Sequence, residues 1–150
     1  MRLQEFLDTS AVSLLLRGTT KDEVLEEMVG LLRLDPRATQ ALAQLVHRRE
    51  HLGSTGFGRG IAIPHARSLV VNRLRVAFGR HVAGVEFGAM DQAPVHAIFL
   101  IVAPPHEVSN QYLPVLGKVA QLCQQPDVPE RLARLEDPAA LLALLADRGV

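Results

Sequence analysis

Apolar positions along the chain fall into three textures: helical spacing, strict alternation and unbroken runs. A short apolar stretch over 11–16 predicts a first strand. Thr20 and Glu23 then form a capping box, with Thr20 as N-cap and Glu23 three residues on. Val24, Leu25, Met28, Leu31 and Leu32 follow at helical spacing and predict a helix to about Arg33. Asp35-Pro36 opens a second helix as an N-cap followed by proline. Leu42, Leu45 and Val46 mark its inner face, and it ends near His51.

The texture changes at Gly53. Four glycines within 53–60 predict a loop. Residues 61–63 form a short β-branched strand stopped by Pro64, and 74–78 alternate as a half-buried strand does. Residues 95–102 are nearly all apolar and suit a central strand covered on both faces, ended by Pro104-Pro105. A third helix is expected with Ser109 as its cap and Leu113, Leu116, Val119, Ala120, Leu122 and Cys123 on its inner side. Two more helices follow over 127–135 and from Asp137-Pro138 to Ala146, the last closed by Gly149. The order predicts an α/β fold: a sandwich with a mixed β-sheet flanked by helices, in one domain over 1–150.

Composition narrows the classes. The chain has 150 residues, 48% hydrophobic and 21% charged, which excludes a disordered chain. Lys plus Arg and Asp plus Glu are 16 each, so nothing favours bulk nucleic-acid or anionic-membrane binding. A single Cys excludes an internal disulfide. No apolar run approaches the roughly 18 residues of a membrane helix, and the N-terminus meets an acid too early for a signal peptide. The expectation is a soluble, cytoplasmic protein.

The chemistry concentrates in 53–67, GSTGFGRGIAIPHAR. Glycines let backbone N–H groups converge on an anion. Ser54 and Thr55 add hydroxyl donors, and Arg49, Arg59 and Arg67 bracket the segment with charges that suit phosphate oxygens. His65 follows Pro64 at a strand end, and a neutral imidazole is a competent nucleophile. Such a set suits phosphoryl transfer to histidine. The bland reading of the same residues is an ordinary loop beside a surface histidine. The segment is neither a Walker A loop nor a dinucleotide fingerprint, since it lacks Gly-Lys-Ser/Thr and leads into a strand.

A competing pattern is His47-x-x-Glu50-His51, an inverted zinc-peptidase signature in which Glu50 would activate a metal-bound water. Its bland reading is a polar helix end, and no third ligand is evident. Of the other histidines, His96 reads as a satisfied core residue, and His81 and His106 as loop residues. Cys123 reads as a small core residue.

The run from Gly53 to His65 closely resembles the signature of the fructose/mannitol-type (type 2) enzyme IIA domain of the bacterial phosphoenolpyruvate:sugar phosphotransferase system, whose members include nitrogen-regulatory IIA proteins. Arg49-Glu50 before the loop, the stretch FGAMDQAPV over 87–95, Ala103-Pro104, and YLPVLGKVA over 112–120 extend the likeness over nearly the whole chain. The resemblance implies a phosphocarrier in which His65 takes a phosphoryl group from an HPr-like protein. That group then passes to a IIB subunit or serves as a regulatory switch on protein partners. Arg49 and Thr55 would support the phosphate, no cofactor and no metal are needed, and the role is cytoplasmic. An alternative is a relative that binds and regulates without phosphorylation. One departure stands out: the family commonly places a second histidine where this chain has Tyr112. Phe57, Ile63 and Leu69 are expected to supply an apolar ring for the partner protein.

Overall fold

The computed structural model describes residues 2–106 and 110–150. Two 3-10 turns, Leu3–Glu5 and Thr9–Ala11, precede a two-residue strand β1, Val12–Ser13. This is shorter than expected over 11–16, although the Leu16 N–H still reaches the Arg80 carbonyl at 2.9 Å. Helix α1, Lys21–Gly30, starts where its capping box says: the Thr20 hydroxyl accepts the Glu23 N–H at 3.2 Å. Helix α2, Pro36–Leu52, starts at Asp35, whose carboxylate accepts the Ala38 N–H at 2.9 Å.

The glycine-rich segment is not only a loop. It contains strand β2, Gly56–Gly58, paired antiparallel with β3, Ile61–Ala62. The two connecting residues, Arg59 and Gly60, both have positive φ, 59° and 80°, which matches the twist of a tight hairpin. Strands β4, His65–Arg67, β5, Arg75–Val85, and β6, Val95–Ala103, complete the sheet. Its order is β1-β5-β6-β3-β2, with β4 also on β6. β1 is parallel to β5, β5 antiparallel to β6, and β3 and β4 both parallel to β6, so the sheet is mixed.

β3 and β4 lie one after the other along the same edge of β6. Ile61 pairs with Ala97 and His65 with Ile101. Pro64 interrupts the two because it has no N–H to donate. Its carbonyl still accepts the Ile101 N–H at 3.0 Å, so register carries across the gap.

Period-2 alternation of β6 divides the core. Ala97, Phe99, Ile101 and Ala103 belong to one apolar cluster, with α3 (Tyr112–Cys123), α4 (Val128–Ala133) and α5 (Pro138–Asp147). Ile98, Leu100 and Val102 belong to the other, with α1 and α2. The expected central strand covered on both faces is therefore present. Phe78 and Phe99 pack face to edge across β5 and β6, 4.9 Å between centroids.

Several expectations are corrected. Helix α1 ends at Gly30, short of Arg33. β5 runs well past residue 78 and carries His81, which is buried rather than in a loop. The His81 Nε2–H donates to the Gly18 carbonyl at 2.7 Å, and Nδ1 accepts the Gly84 N–H at 2.9 Å. Leu113 is 68% exposed, because the inner face of α3 is set by Tyr112, Val115, Val119, Leu122 and Cys123. Ser109, the expected cap, lies outside the described residues. No helix among the described residues is long and apolar enough to cross a membrane.

Candidate functional site

His65 is the first residue of β4, held between Pro64 and the hydrogen-bonded Ala66. Alternation along the strand puts His65 and Arg67 on one face and the buried Ala66 on the other. The His65 face meets the start of α3. There the Tyr112 ring lies 6.2 Å from the imidazole centroid at 55°, and the Arg67 guanidinium carbon stands 4.4 Å from the Tyr112 centroid. A surface hollow of about 400 Å³ is lined by Arg49, His65, Arg67, Tyr112, Leu113 and Leu116, among others.

The imidazole is oriented by its own strand. His65 Nδ1 lies 2.8 Å from the Ile63 carbonyl oxygen. A carbonyl only accepts, so Nδ1 carries the proton and the Nε2 lone pair is left for chemistry. Among the described residues Nε2 has no hydrogen-bond partner. Arg49, at the end of α2, donates from Nη1 to the Gly53 carbonyl at 2.9 Å. Arg67 donates to the Pro104 carbonyl at 3.2 Å. The Arg49 guanidinium keeps further N–H groups, since Arg carries five.

The structure thus brings Arg49, His65, Arg67 and Tyr112 together. It turns the two expected hydroxyls elsewhere. Ser54 Oγ donates to the Phe87 carbonyl at 2.8 Å and accepts the Gly56 N–H at 2.9 Å. Thr55 Oγ1 is in hydrogen-bond contact with the Glu50 carboxylate. Arg59 also departs from expectation. Its guanidinium donates to the carbonyls of Cys123, Gln125 and Pro126 at 2.7–3.0 Å, capping the end of α3. Of the expected apolar ring, Ile63 is buried, Phe57 packs against the core, and Leu69 is 86% exposed.

The position of Glu50 does not suit a metal-site base. It is buried, with Lys21 Nζ 2.8 Å from Oε2 and the Thr55 N–H 3.2 Å from the same oxygen. His47 Nε2 faces the Asp22 carbonyl at 3.3 Å. The His47-x-x-Glu50-His51 pattern therefore spends its central carboxylate on Lys21 and Thr55. Among the described residues no three His, Cys, Asp or Glu side chains gather as a metal site.

With this geometry in place, comparison with known proteins is informative. Residues 5–148 match the family model "Phosphoenolpyruvate-dependent sugar phosphotransferase system, EIIA 2". The chain belongs to that family. It is 32% identical over 149 residues to a nitrogen regulatory protein of Pseudomonas aeruginosa, covering 98% of this chain and 96% of that one. It is also 32% identical to the fructose-specific EIIABC component of Bacillus subtilis, of which it spans 23%. The nitrogen regulatory protein IIA-Ntr of Neisseria meningitidis superposes with a TM-score of 0.86 at 32% identity, over 95% of this chain and 98% of that one. The expected IIA-like mixed-sheet sandwich is the observed fold.

Proposed function

We propose that the chain is a phosphocarrier, with one IIA domain over 1–150, in which His65 accepts a phosphoryl group at Nε2. The observation that carries this reading is the fixed imidazole: Nδ1–H is bound to the Ile63 carbonyl, and His65 lines the hollow shared with Arg49 and Arg67. In the transfer, the N–P bond of a phosphohistidine donor breaks and its electron pair returns to the donor ring. The Nε2 lone pair forms the new N–P bond. Arg49 and Arg67 neutralise the phosphoryl oxygens, which need preorganised cations as charge moves. Tyr112 shapes the site and holds Arg67 over its ring. No cofactor takes part. In this reading Ser54 and Thr55 support the hairpin rather than the phosphate, since their hydroxyls bond the Phe87 carbonyl and Glu50.

The donor in this reading is an HPr-like phosphoprotein, and the carrier works in the cytoplasm. Downstream, the group passes to a IIB subunit or acts as a charge switch on regulatory partners. We favour the regulatory branch, because the match to the nitrogen regulatory relatives covers nearly the full length of both chains. The added charge and acceptor oxygens would change which surfaces dock beside the arginines.

The test is intact-mass analysis after incubation with a phosphorylated HPr-like donor, on wild type and His65→Ala. One acid-labile phosphate on wild type and none on the variant is expected. No uptake from a competent donor would refute the carrier role. Acceptor assays with a IIB subunit then separate transport from regulation.

A further inference from the structure

A continuous chain of polar contacts leads from α1 to the imidazole of His65. Lys21 Nζ sits 2.8 Å from Glu50 Oε2, and the Glu50 side chain is only 3% exposed. Lys21 Nζ also donates to the Phe87 carbonyl at 3.1 Å, which ties the pair to the turn before β6. The Glu50 carboxylate takes both the backbone N–H and the hydroxyl of Thr55. The Thr55 carbonyl accepts the Ile63 N–H at 3.0 Å. The Ile63 carbonyl accepts the His65 Nδ1–H at 2.8 Å. On the other side, the Ile101 N–H holds the Pro64 carbonyl at 3.0 Å.

A buried carboxylate is costly unless paired and hydrogen-bonded, and here every contact of Glu50 points to the hairpin or to Lys21. We infer that Glu50 is a positioning residue for His65. With Lys21 it fixes Thr55, and through the two hydrogen bonds of the Ile63 N–H and carbonyl it fixes the ring nitrogen that keeps the proton. The inference rests on the phosphoryl-acceptor reading of His65.

The consequence for the transfer is electrostatic as well as geometric. When Nε2 forms its bond to phosphorus, the Nδ1 proton stays and the ring becomes positively charged. The Ile63 carbonyl then accepts from a cationic donor, and such bonds are about twice as strong as neutral ones. A carbonyl held in place needs no reorganisation at that moment. Thr55 thereby acts on His65 from a distance, although its hydroxyl is aimed at Glu50.

Two variants test this, Glu50→Gln and Thr55→Val, each checked for folding by circular dichroism. The first readout is the His65 tautomer by ring 15N chemical shifts. The second is the rate of phosphorylation by the small donor phosphoramidate, which needs no protein docking. The expected result is a loss of the dominant Nδ1–H tautomer and a fall in rate of about tenfold or more, the scale that small misplacement of a reacting group produces. Thr55→Ser, which keeps the hydroxyl, should recover the tautomer lost in Thr55→Val. Both variants folded, with wild-type tautomer and rate, would overturn the inference, even if their melting temperatures fall. If Glu50→Gln does not fold, Thr55→Val decides alone. Failure of wild type itself to take up phosphate would sink the carrier reading, while the tautomer readout still decides the role of Glu50.

Discussion

The guanidinium of Arg67 lies over the ring of Tyr112, 4.4 Å from its centroid, and the same ring leans against His65. A cation over an aromatic face is worth about 0.5–2 kcal/mol, depending on desolvation. The ring therefore both fills the space below the hollow and restrains one of its two cations.

Tyr112→Phe keeps that ring and should cost far less unfolding free energy than Tyr112→Ala, which should lose about 3 kcal/mol or more by leaving a cavity. Urea denaturation measures both. Tyr112→His introduces a group with an ordinary pKa near 6.5, so phosphoryl uptake should gain a pH dependence around neutrality. Uptake rates from about pH 5.5 to 8 check this; profiles identical to wild type would make the position irrelevant to transfer.

Cys123 should be inert in the native protein. Burial pushes its thiol up to about 12, and the nearby Arg59 charge offsets only part of that. Thiolate is the reactive form, so alkylation by iodoacetamide at about pH 8 should be negligible when folded and complete in denaturant. Mass analysis reads the difference.

Gly79 should accept a side chain only if Met28 and Leu16 move aside. A Cβ there would land on Met28 Sδ and come within 2.7 Å of Leu16 Cδ1, where α1 lies against β5. Gly79→Ala is expected to cost about 1–3 kcal/mol by overpacking, measured as a fall in the urea midpoint. An unchanged midpoint would mean that the Met28 and Leu16 side chains swing aside without cost.

Asp127 and Arg148 should contribute to the acid limb of stability. Hydrogen bonding and charge from Arg148 hold the Asp127 carboxyl below its ordinary value of 3.8. A lowered folded pKa gives stabilisation that is present above the unfolded value and disappears as pH falls through the folded one. Asp127→Asn should therefore destabilise near neutrality and lose less on acidification below about pH 4. Thermal melts of both proteins across that window read the sign.

Local chemistry made part of the fold legible. Thr20, Asp35 and Asp137 are caps whose acceptors bond their own helices, so nothing distant was needed to place α1, α2 and α5. The apolar run of β6 announced burial on both faces. β4 and the outer half of β5 were hidden. β4 is three residues behind a proline, and the end of β5 is broken by a bulge against β6 that buries His81. The hydrophobic count on α3 missed its phase by one residue, placing Leu113 inside where Tyr112 lies.

The candidate site was legible to a similar degree. His65, Arg49 and Arg67 converge, as the charges around the loop suggested, and Tyr112 joins them at the position that only the family likeness singled out. The hydroxyls of Ser54 and Thr55 were misdirected because their acceptors, the Phe87 carbonyl and Glu50, come from the turn before β6 and from α2. Arg59 was misread for the same reason, since the carbonyls it caps are more than 60 residues away in sequence. Lys21, one of only two lysines in the chain, meets Glu50 from the first turn of α1, a pairing that the local sequence does not announce.

The break at Pro64 limits how this sequence can change over evolutionary time. Side chains along an edge strand alternate, so parity decides which helices His65 faces. Gaining or losing one residue between Ala62 and His65 would present the imidazole to α1 and α2 and turn Ala66 toward Tyr112. The Ile101 bond to Pro64 and the Thr55 bond to Ile63 forbid a compensating slide. Length between these residues is thus as constrained as identity.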